Sequence, residues 1–330
     1  MFPADARRTI GTTGLGLGAL GFGGASVGNL HRPVPAEVAA RAIAAAYEAG
    51  IRYFDTAPLY GAGLGERRIG NVLRGVPRGD IVVSTKVGHR IVTSGESVTF
   101  DYGYDSTMRS IEESARRIGI GSIDIAFIHD IDPYNHGENQ PRIFREALEG
   151  SWRALSDLRR AGALRAIGVG VNSVAVCEDC LRAMDLDCFL LAGRYTLLDT
   201  SALDTLLPAC VARGVSVILG APFNSGLLAR GAASGATYNY LPPPDDVRKR
   251  VAAIETFSVA RGVDLMALAL QFPLAHSAIV SVLPGMRSAE QVFACVQAMQ
   301  TRIPAALWDE LRAAGVIDQR APIPTEGERR

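Results

Sequence analysis

Residues Tyr104–His129 read YDSTMRSIEESARRIGIGSIDIAFIH. From Tyr104 to Ile118 the segment has the length and composition of a crossover helix, and Gly119 supplies a C-terminal stop. Ile123–His129 is then a short apolar run of the kind that forms a buried strand. A helix leading into a buried strand is the building unit of a parallel sheet. The same unit recurs outward in both directions. Apolar runs at Ile51–Thr56, Ile81–Thr85, Leu164–Val169, Cys188–Ala192, Val215–Ala221 and Ala278–Leu283 alternate with helical patterns at Ala36–Ala49, Arg142–Ala161, Val174–Met184, Ala202–Arg213 and Ser288–Gln300. Gly50, Gly162 and Gly214 follow three of those helices in the stop position.

An initial strand around Leu17–Gly21 brings the strands to eight, which is what a closed barrel needs. The expectation is an α/β fold: one (β/α)8 TIM barrel over residues 1–330, with an extra C-terminal helix at Ala305–Ala314 and a Pro-rich end. An open doubly wound sheet is the second arrangement that the alternation allows. Gly88–Tyr104 and Pro222–Pro244 break the rhythm, and long loops of that kind on a barrel's top face ordinarily cover a site.

The chain's 330 residues, 48% hydrophobic and 21% charged, suffice for a large core. Lys+Arg and Asp+Glu both total 34, so no summed field draws the molecule to nucleic acid or an anionic membrane, and a small, weakly charged ligand fits better. Five cysteines suit a reducing compartment, hence the cytoplasm. Arg7-Arg8 precedes a glycine-interrupted stretch, Ile10–Val27, that makes a poor core for a twin-arginine signal. No run reaches the roughly 20 apolar residues of a membrane span.

Phe54-Asp55-Thr56-Ala57-Pro58-Leu59-Tyr60-Gly61 ends a strand in an acid and presents a tyrosine five residues later. Val82-Val83-Ser84-Thr85-Lys86 ends the next strand in a lysine, and Ala126-Phe127-Ile128-His129-Asp130 the one after in a histidine. Singly, each residue is ordinary: an acid in a loop, a packing tyrosine, a solvated lysine, a hydrogen-bonded histidine. A barrel puts all these strand ends on one face. Together they make a proton-transfer device in which Lys86, held by Asp55, lowers the pKa of Tyr60 while His129 orients the substrate oxygen.

Other motifs carry less. Gly16-Leu17-Gly18-Ala19-Leu20-Gly21 fits GxGxxG, but no helix follows directly, so it reads as the first strand and its approach. Cys177 and Cys180 form a CxxC without a second ligand pair, inside a crossover helix, and read as packing residues. His31, His89, His136 and His276 show no metal spacing, and no metal is expected; His31 and Asp130, at strand exits, are candidates to line the substrate pocket.

FDTAPLYGAGLGERRIG, the lysine after VVST and the histidine of FIHD resemble the aldo-keto reductase superfamily over nearly the whole chain. The resemblance implies hydride transfer between a nicotinamide and a substrate carbon, with Asp55, Tyr60, Lys86 and His129 as the catalytic tetrad. FGGASVGNL, STKVG, HDID and AGRYTLLD resemble the branch containing aldose 1-dehydrogenases and a pyridoxal 4-dehydrogenase, whose members oxidise a cyclic hemiacetal to a lactone.

The resemblance also implies the cofactor site. Asn172 would hold the nicotinamide carboxamide, although Gly170 stands where many members carry Ser, and Tyr195 would stack on the ring. Ala221, Pro222, Asn224, Gly226 and Leu228 would fold over the pyrophosphate. Gly285, Met286, Arg287 and Gln291 would take the adenosine phosphate at a helix N-terminus, with Arg287 placed for a 2′-phosphate. Gln291 and Cys295 depart from the NADPH-preferring pattern, so NADP and NAD both stay open. Small-molecule partners follow: a sugar, pyridoxal or an aldehyde. A general NADPH-dependent reductase shares every catalytic residue, and a non-catalytic NADP(H)-binding sensor is the alternative of another class; the oligomeric state is open.

Overall fold

A computed structural model describes residues 7–30, 32–92, 97–232, 237–239 and 241–325. Twelve strands are described: β1 (Arg7–Thr9), β2 (Gly16–Gly18), β3 (Phe22–Gly23), β4 (Tyr53–Asp55), β5 (Val82–Val87), β6 (His89–Ile91), β7 (Val98–Phe100), β8 (Ile125–His129), β9 (Ala166–Val171), β10 (Cys188–Ala192), β11 (Ser216–Gly220) and β12 (Ile279–Leu283). Eight of them form one parallel sheet in the order β12-β11-β10-β9-β8-β5-β4-β3. Parallel bridges Leu20↔Val282 and Gly23↔Gly285 join its two edges, so the sheet closes into a (β/α)8 barrel.

The first strand departs from expectation. Gly16–Gly18 pairs antiparallel with Arg7–Thr9 outside the barrel sheet, and the barrel's first strand is Phe22–Gly23. Glycines at 16, 18, 21 and 23 remove the alternation that would have told the two apart. Within the stretch 88–104, β6 and β7 pair antiparallel as a hairpin of their own, residues 93–96 lying outside the described residues.

Period-two alternation sorts each barrel strand into two cores. Ile125 and Phe127 of β8 and Cys188 and Leu190 of β10 face the barrel interior with Tyr53, Val82 and Ala166. Ala126, Ile128, Phe189 and Leu191 face outward against the helices. Those helices include Ala36–Glu48, Leu64–Leu73, Tyr104–Ile118, Val174–Ala183, Leu206–Arg213, Asp245–Arg261, Leu265–Gln271 and Ala289–Gln300. The expected helix at 142–161 runs Gln140–Arg160 with one π-helical turn at Leu148–Trp152. There Gly150 lies against the Tyr102 carbonyl, where a Cβ would come within 2.3 Å of the oxygen.

Acidic residues ahead of two strands tie the lower rim. Asp124 accepts the Val83 N–H at 2.8 Å and an Arg78 N–H at 2.6 Å, and Asp187 accepts the Ile167 N–H at 2.8 Å. All strand C-termini therefore point the other way, to one face. Among the described residues no helix is long and apolar enough to cross a membrane.

Candidate active site

The alternation that fills the barrel floor also builds the site above it. Asp55 shares its strand face with the interior residue Tyr53, Lys86 with Val82, and His129 with Ile125 and Phe127. Three polar side chains thus point inward at the top of three neighbouring strands, with Asp55 opposite Ser84 and His129 opposite Gly170 in register.

Lys86 is 1% exposed and Asp55 2%. The Lys86 Nζ donates to Asp55 Oδ2 at 2.6 Å and to the Thr56 carbonyl at 2.9 Å. Ser84 Oγ donates to the other Asp55 oxygen at 2.6 Å and lies 3.0 Å from the Tyr53 hydroxyl. Burial raises the Asp55 carboxyl above its ordinary value, with the Lys86 charge and the two hydrogen bonds acting the other way. Burial likewise pushes the Tyr53 phenol well up, so it serves as a neutral partner.

Tyr60 sits in a tight turn between β4 and the helix Leu64–Leu73. Its N–H reaches Ala57 O, its carbonyl accepts from Gly65, and Gly28 packs so closely that a Cβ there would come within 2.5 Å of Tyr60 Cβ. The ring is held with the Lys86 ammonium 4.7 Å from its centroid and the His129 ring edge-on at 6.2 Å. Burial, with the nearby His89 and Lys86 adding to it, pushes His129 well below its ordinary pKa, leaving a neutral imidazole.

Asp130 follows His129 in the left-handed conformation, φ 57°. That uncommon backbone is locked from three sides: its N–H bonds Gly170 O at 3.0 Å, and its carbonyl accepts from the Tyr102 hydroxyl at 3.1 Å and faces His136 Nε2 at 2.9 Å. The carboxylate turns back into the site, 3.5 Å from His129 Nε2 and 3.6 Å from His89 Nε2. Burial and then Asp132 push it up to about 7, and burial lowers His89 to about 4. His89, Tyr102 and His136 carry no signal at sequence level, because the β6–β7 pair and the residues just after it bring in the first two, and the short helix Pro133–His136 after β8 brings in the third. Phe100 of β7 closes over them, its ring 4.7 Å from His89 and 4.4 Å from His136.

The expected cofactor residues follow the remaining strand ends. Asn172 leaves β9 with its N–H toward Asp132 Oδ2 at 3.4 Å and its carbonyl held by Arg194 at 2.7 Å. Pro222 and Leu228 are buried, Ala221 is exposed, and Ala221, Asn224, Ser225 and Gly226 all have positive φ, so the loop after β11 turns its backbone sharply. Gly285 is exposed beside Gly23, where a Cβ would come within 2.7 Å of Ser26 Oγ, and Met286 is buried. The Arg287 guanidinium has Nε and Nη1 buried without a partner among the described residues. Gln291 Oε1 accepts the Arg287 N–H at 3.0 Å, in the first turn of the helix capped by Ser288.

Tyr195 departs from expectation. It is fully buried, its ring packed on Phe272 and His276 at 5.3 and 5.6 Å, so no face is open for stacking on a nicotinamide. His31 lies outside the described residues.

The sequence pattern of the aldo/keto reductase family matches residues 19–315. The chain is 36% identical to a pyridoxal 4-dehydrogenase of Microbacterium luteolum, over 95% of this chain and 98% of that one. It is also 36% identical to a D-threo-aldose 1-dehydrogenase of a Pseudomonas species, over 92% and 96% of the two chains. Among solved structures, an aldo-keto reductase of Bacillus halodurans in its holo form superposes with a TM-score of 0.76 at 26% identity, covering 98% of this chain and 99% of the other. Barrel, strand-end constellation and family pattern agree: the chain belongs to the aldo/keto reductase family of NAD(P)-dependent oxidoreductases.

Proposed function

We propose that this enzyme oxidises the cyclic hemiacetal of an aldose, or of pyridoxal, to a lactone. The observation that carries the reading is the convergence of Tyr60, the buried Lys86–Asp55 pair and neutral His129 at one end of the barrel. The choice of a hemiacetal over a simple aldehyde is supported by the two dehydrogenases at 36% identity.

The orphaned Arg287 nitrogens and the unpartnered Asn224 Oδ1 fit a nucleotide cofactor, since phosphate oxygens and an amide would satisfy them. Asn172, Ala221, Pro222, Asn224, Gly226, Leu228, Gly285, Met286, Arg287 and Gln291 would hold it. When bound, NADP or NAD supplies the hydride acceptor. The protein's part is the proton. Tyr60 takes it from the hemiacetal hydroxyl as general base, and the Lys86 ammonium, fixed by Asp55 and the Thr56 carbonyl, stabilises negative charge on the phenol oxygen. His129, neutral because it is buried, donates an N–H to the substrate oxygen without taking the proton itself. Asp130 faces the same space and would accept from a neighbouring ring hydroxyl.

Purified enzyme with NAD+ or NADP+ and L-fucose, D-arabinose, L-galactose or pyridoxal is expected to form reduced nicotinamide with at least one of them. Tyr60→Phe should lower turnover by about 10²–10⁴-fold with cofactor affinity little changed. NADPH consumption with simple aldehydes, and silence with every hemiacetal, would instead make the protein a general reductase. Cofactor binding without any turnover would make it a nucleotide-binding sensor.

A further inference from the structure

Three ligand atoms that are remote or merely adjacent in sequence share one small space above His129. One ring nitrogen of His89, one of His129 and a carboxylate oxygen of Asp130 all lie within 4.8 Å of one another; Asp130 Oδ2 is 3.6 Å from His89 Nε2, and Asp130 Oδ1 is 3.5 Å from His129 Nε2. We propose that they form a site for a borderline-soft divalent transition ion, Zn2+ in the first instance, overlapping the position of the substrate oxygen and so inhibiting the enzyme.

The donor set selects the ion. Two imidazoles and one carboxylate suit Zn2+ and its first-row neighbours, whereas Mg2+ and Ca2+ need six or more oxygen ligands. Bond lengths of about 2.0–2.2 Å in a tetrahedron put ligand atoms roughly 3.4 Å apart. Each imidazole is already near that value from one oxygen of the Asp130 carboxylate, His89 from Oδ2 and His129 from Oδ1, and the set as a whole, within 4.8 Å, has to draw in around the ion. Three protein ligands leave a fourth position open to water or a substrate hydroxyl.

The frame is rigid where it must be. Asp130 is held in its left-handed conformation by Gly170, Tyr102 and His136, and His89 is wedged between the rings of His129 and Phe100 at 5.0 and 4.7 Å. Among the described residues neither His89 Nδ1 nor His129 Nδ1 has a partner, and a ligand imidazole whose other nitrogen is unsupported weakens a site by about 10–100-fold. The ion is therefore a reversible inhibitor, removable by chelation. Its competition with substrate rests on the reading of His129 as the group that holds the substrate oxygen; metal binding itself does not.

The test titrates the full-length protein with Co2+, free of substrate, following the visible d–d absorption of a tetrahedral N/O site, and then displaces it with Zn2+. A parallel series measures turnover against substrate at several Zn2+ concentrations, with Mg2+ as control. Expected are a one-to-one Co2+ band that Zn2+ removes, and Zn2+ inhibition competitive with substrate and reversed by EDTA. His89→Ala and, as the bulkier variant, His89→Gln should each weaken metal binding by about an order of magnitude or more while keeping cofactor binding. No Co2+ band and no calorimetric Zn2+ binding overturns the site. Undiminished binding in both His89 variants overturns it as well, by placing the ion elsewhere. If no hemiacetal is oxidised, the Co2+ titration still decides the metal site, so the two failures stay distinct.

Discussion

Asp55 and Lys86 are the clearest case of a residue-scale bargain. Withdrawing two charges from water costs several kcal/mol per ion, and further hydrogen bonds offset it: Ser84 donates to one carboxylate oxygen, and the Thr56 carbonyl accepts from the ammonium. Removing one partner alone leaves the other charge bare. Asp55→Ala is therefore expected to lower the unfolding free energy by about 3–5 kcal/mol in urea denaturation. Asp55→Leu combined with Lys86→Met should cost less than that single change, since it leaves no bare charge behind. A double variant as unstable as the sum of its parts would mean that the pair's geometry, and not its charge, holds the strand ends.

At the scale of elements, the helices Leu64–Leu73 and Tyr104–Ile118 approach so closely that a Cβ at Gly70 would lie 1.8 Å from the Ile118 carbonyl oxygen. Gly75, just beyond the first helix, has nothing within 4 Å. Gly70→Ala should then cost about 1–3 kcal/mol by forcing the helices apart. Gly75→Ala should be neutral or stabilising by up to about 1 kcal/mol through the unfolded chain. Thermal denaturation of both variants checks this, and equal losses would show that the close approach is absorbed without strain. Such crossings are invisible in one sequence, whereas the apolar strand runs from 51 to 283 are plain in it. The helix Asp245–Arg261 escaped because it follows a Gly- and Pro-rich loop and buries only Val251, Ile254 and Ser258. The positions of Asp55, Lys86 and His129 were legible because each ends an apolar run on its inward parity, and Tyr60 only through its spacing from Asp55. His89 and Phe100 were not, since paired strands inside an irregular stretch bring His89 to His129 and Phe100 to His89, and Tyr195 misled because a rim position does not say which way a ring turns.

The whole molecule divides chemistry from stability along the barrel axis. Below the site, the β1–β2 hairpin closes the floor: Ile10, Leu15 and Leu17 pack against the interior residues Tyr53, Val82, Ile125 and Phe127. Arg8 ties the hairpin to the last crossover by donating to the carbonyls of Leu274 at 2.7 Å and Ile279 at 2.8 Å. Nothing at this end touches Tyr60, Lys86 or His129 among the contacts described, and conserving a barrel's floor is a matter of stability while its top face carries the reaction. Ile10→Ala and Leu15→Ala should each lower unfolding free energy by about 2–5 kcal/mol, through lost burial and the cavity left behind. At a temperature where both variants stay folded, kcat/KM should match the parent enzyme within a factor of about 2, because no group at the upper face has moved. Chemical denaturation paired with initial rates makes the comparison. Turnover falling in step with stability, at constant folded fraction, would mean that the floor positions the inward side chains above it.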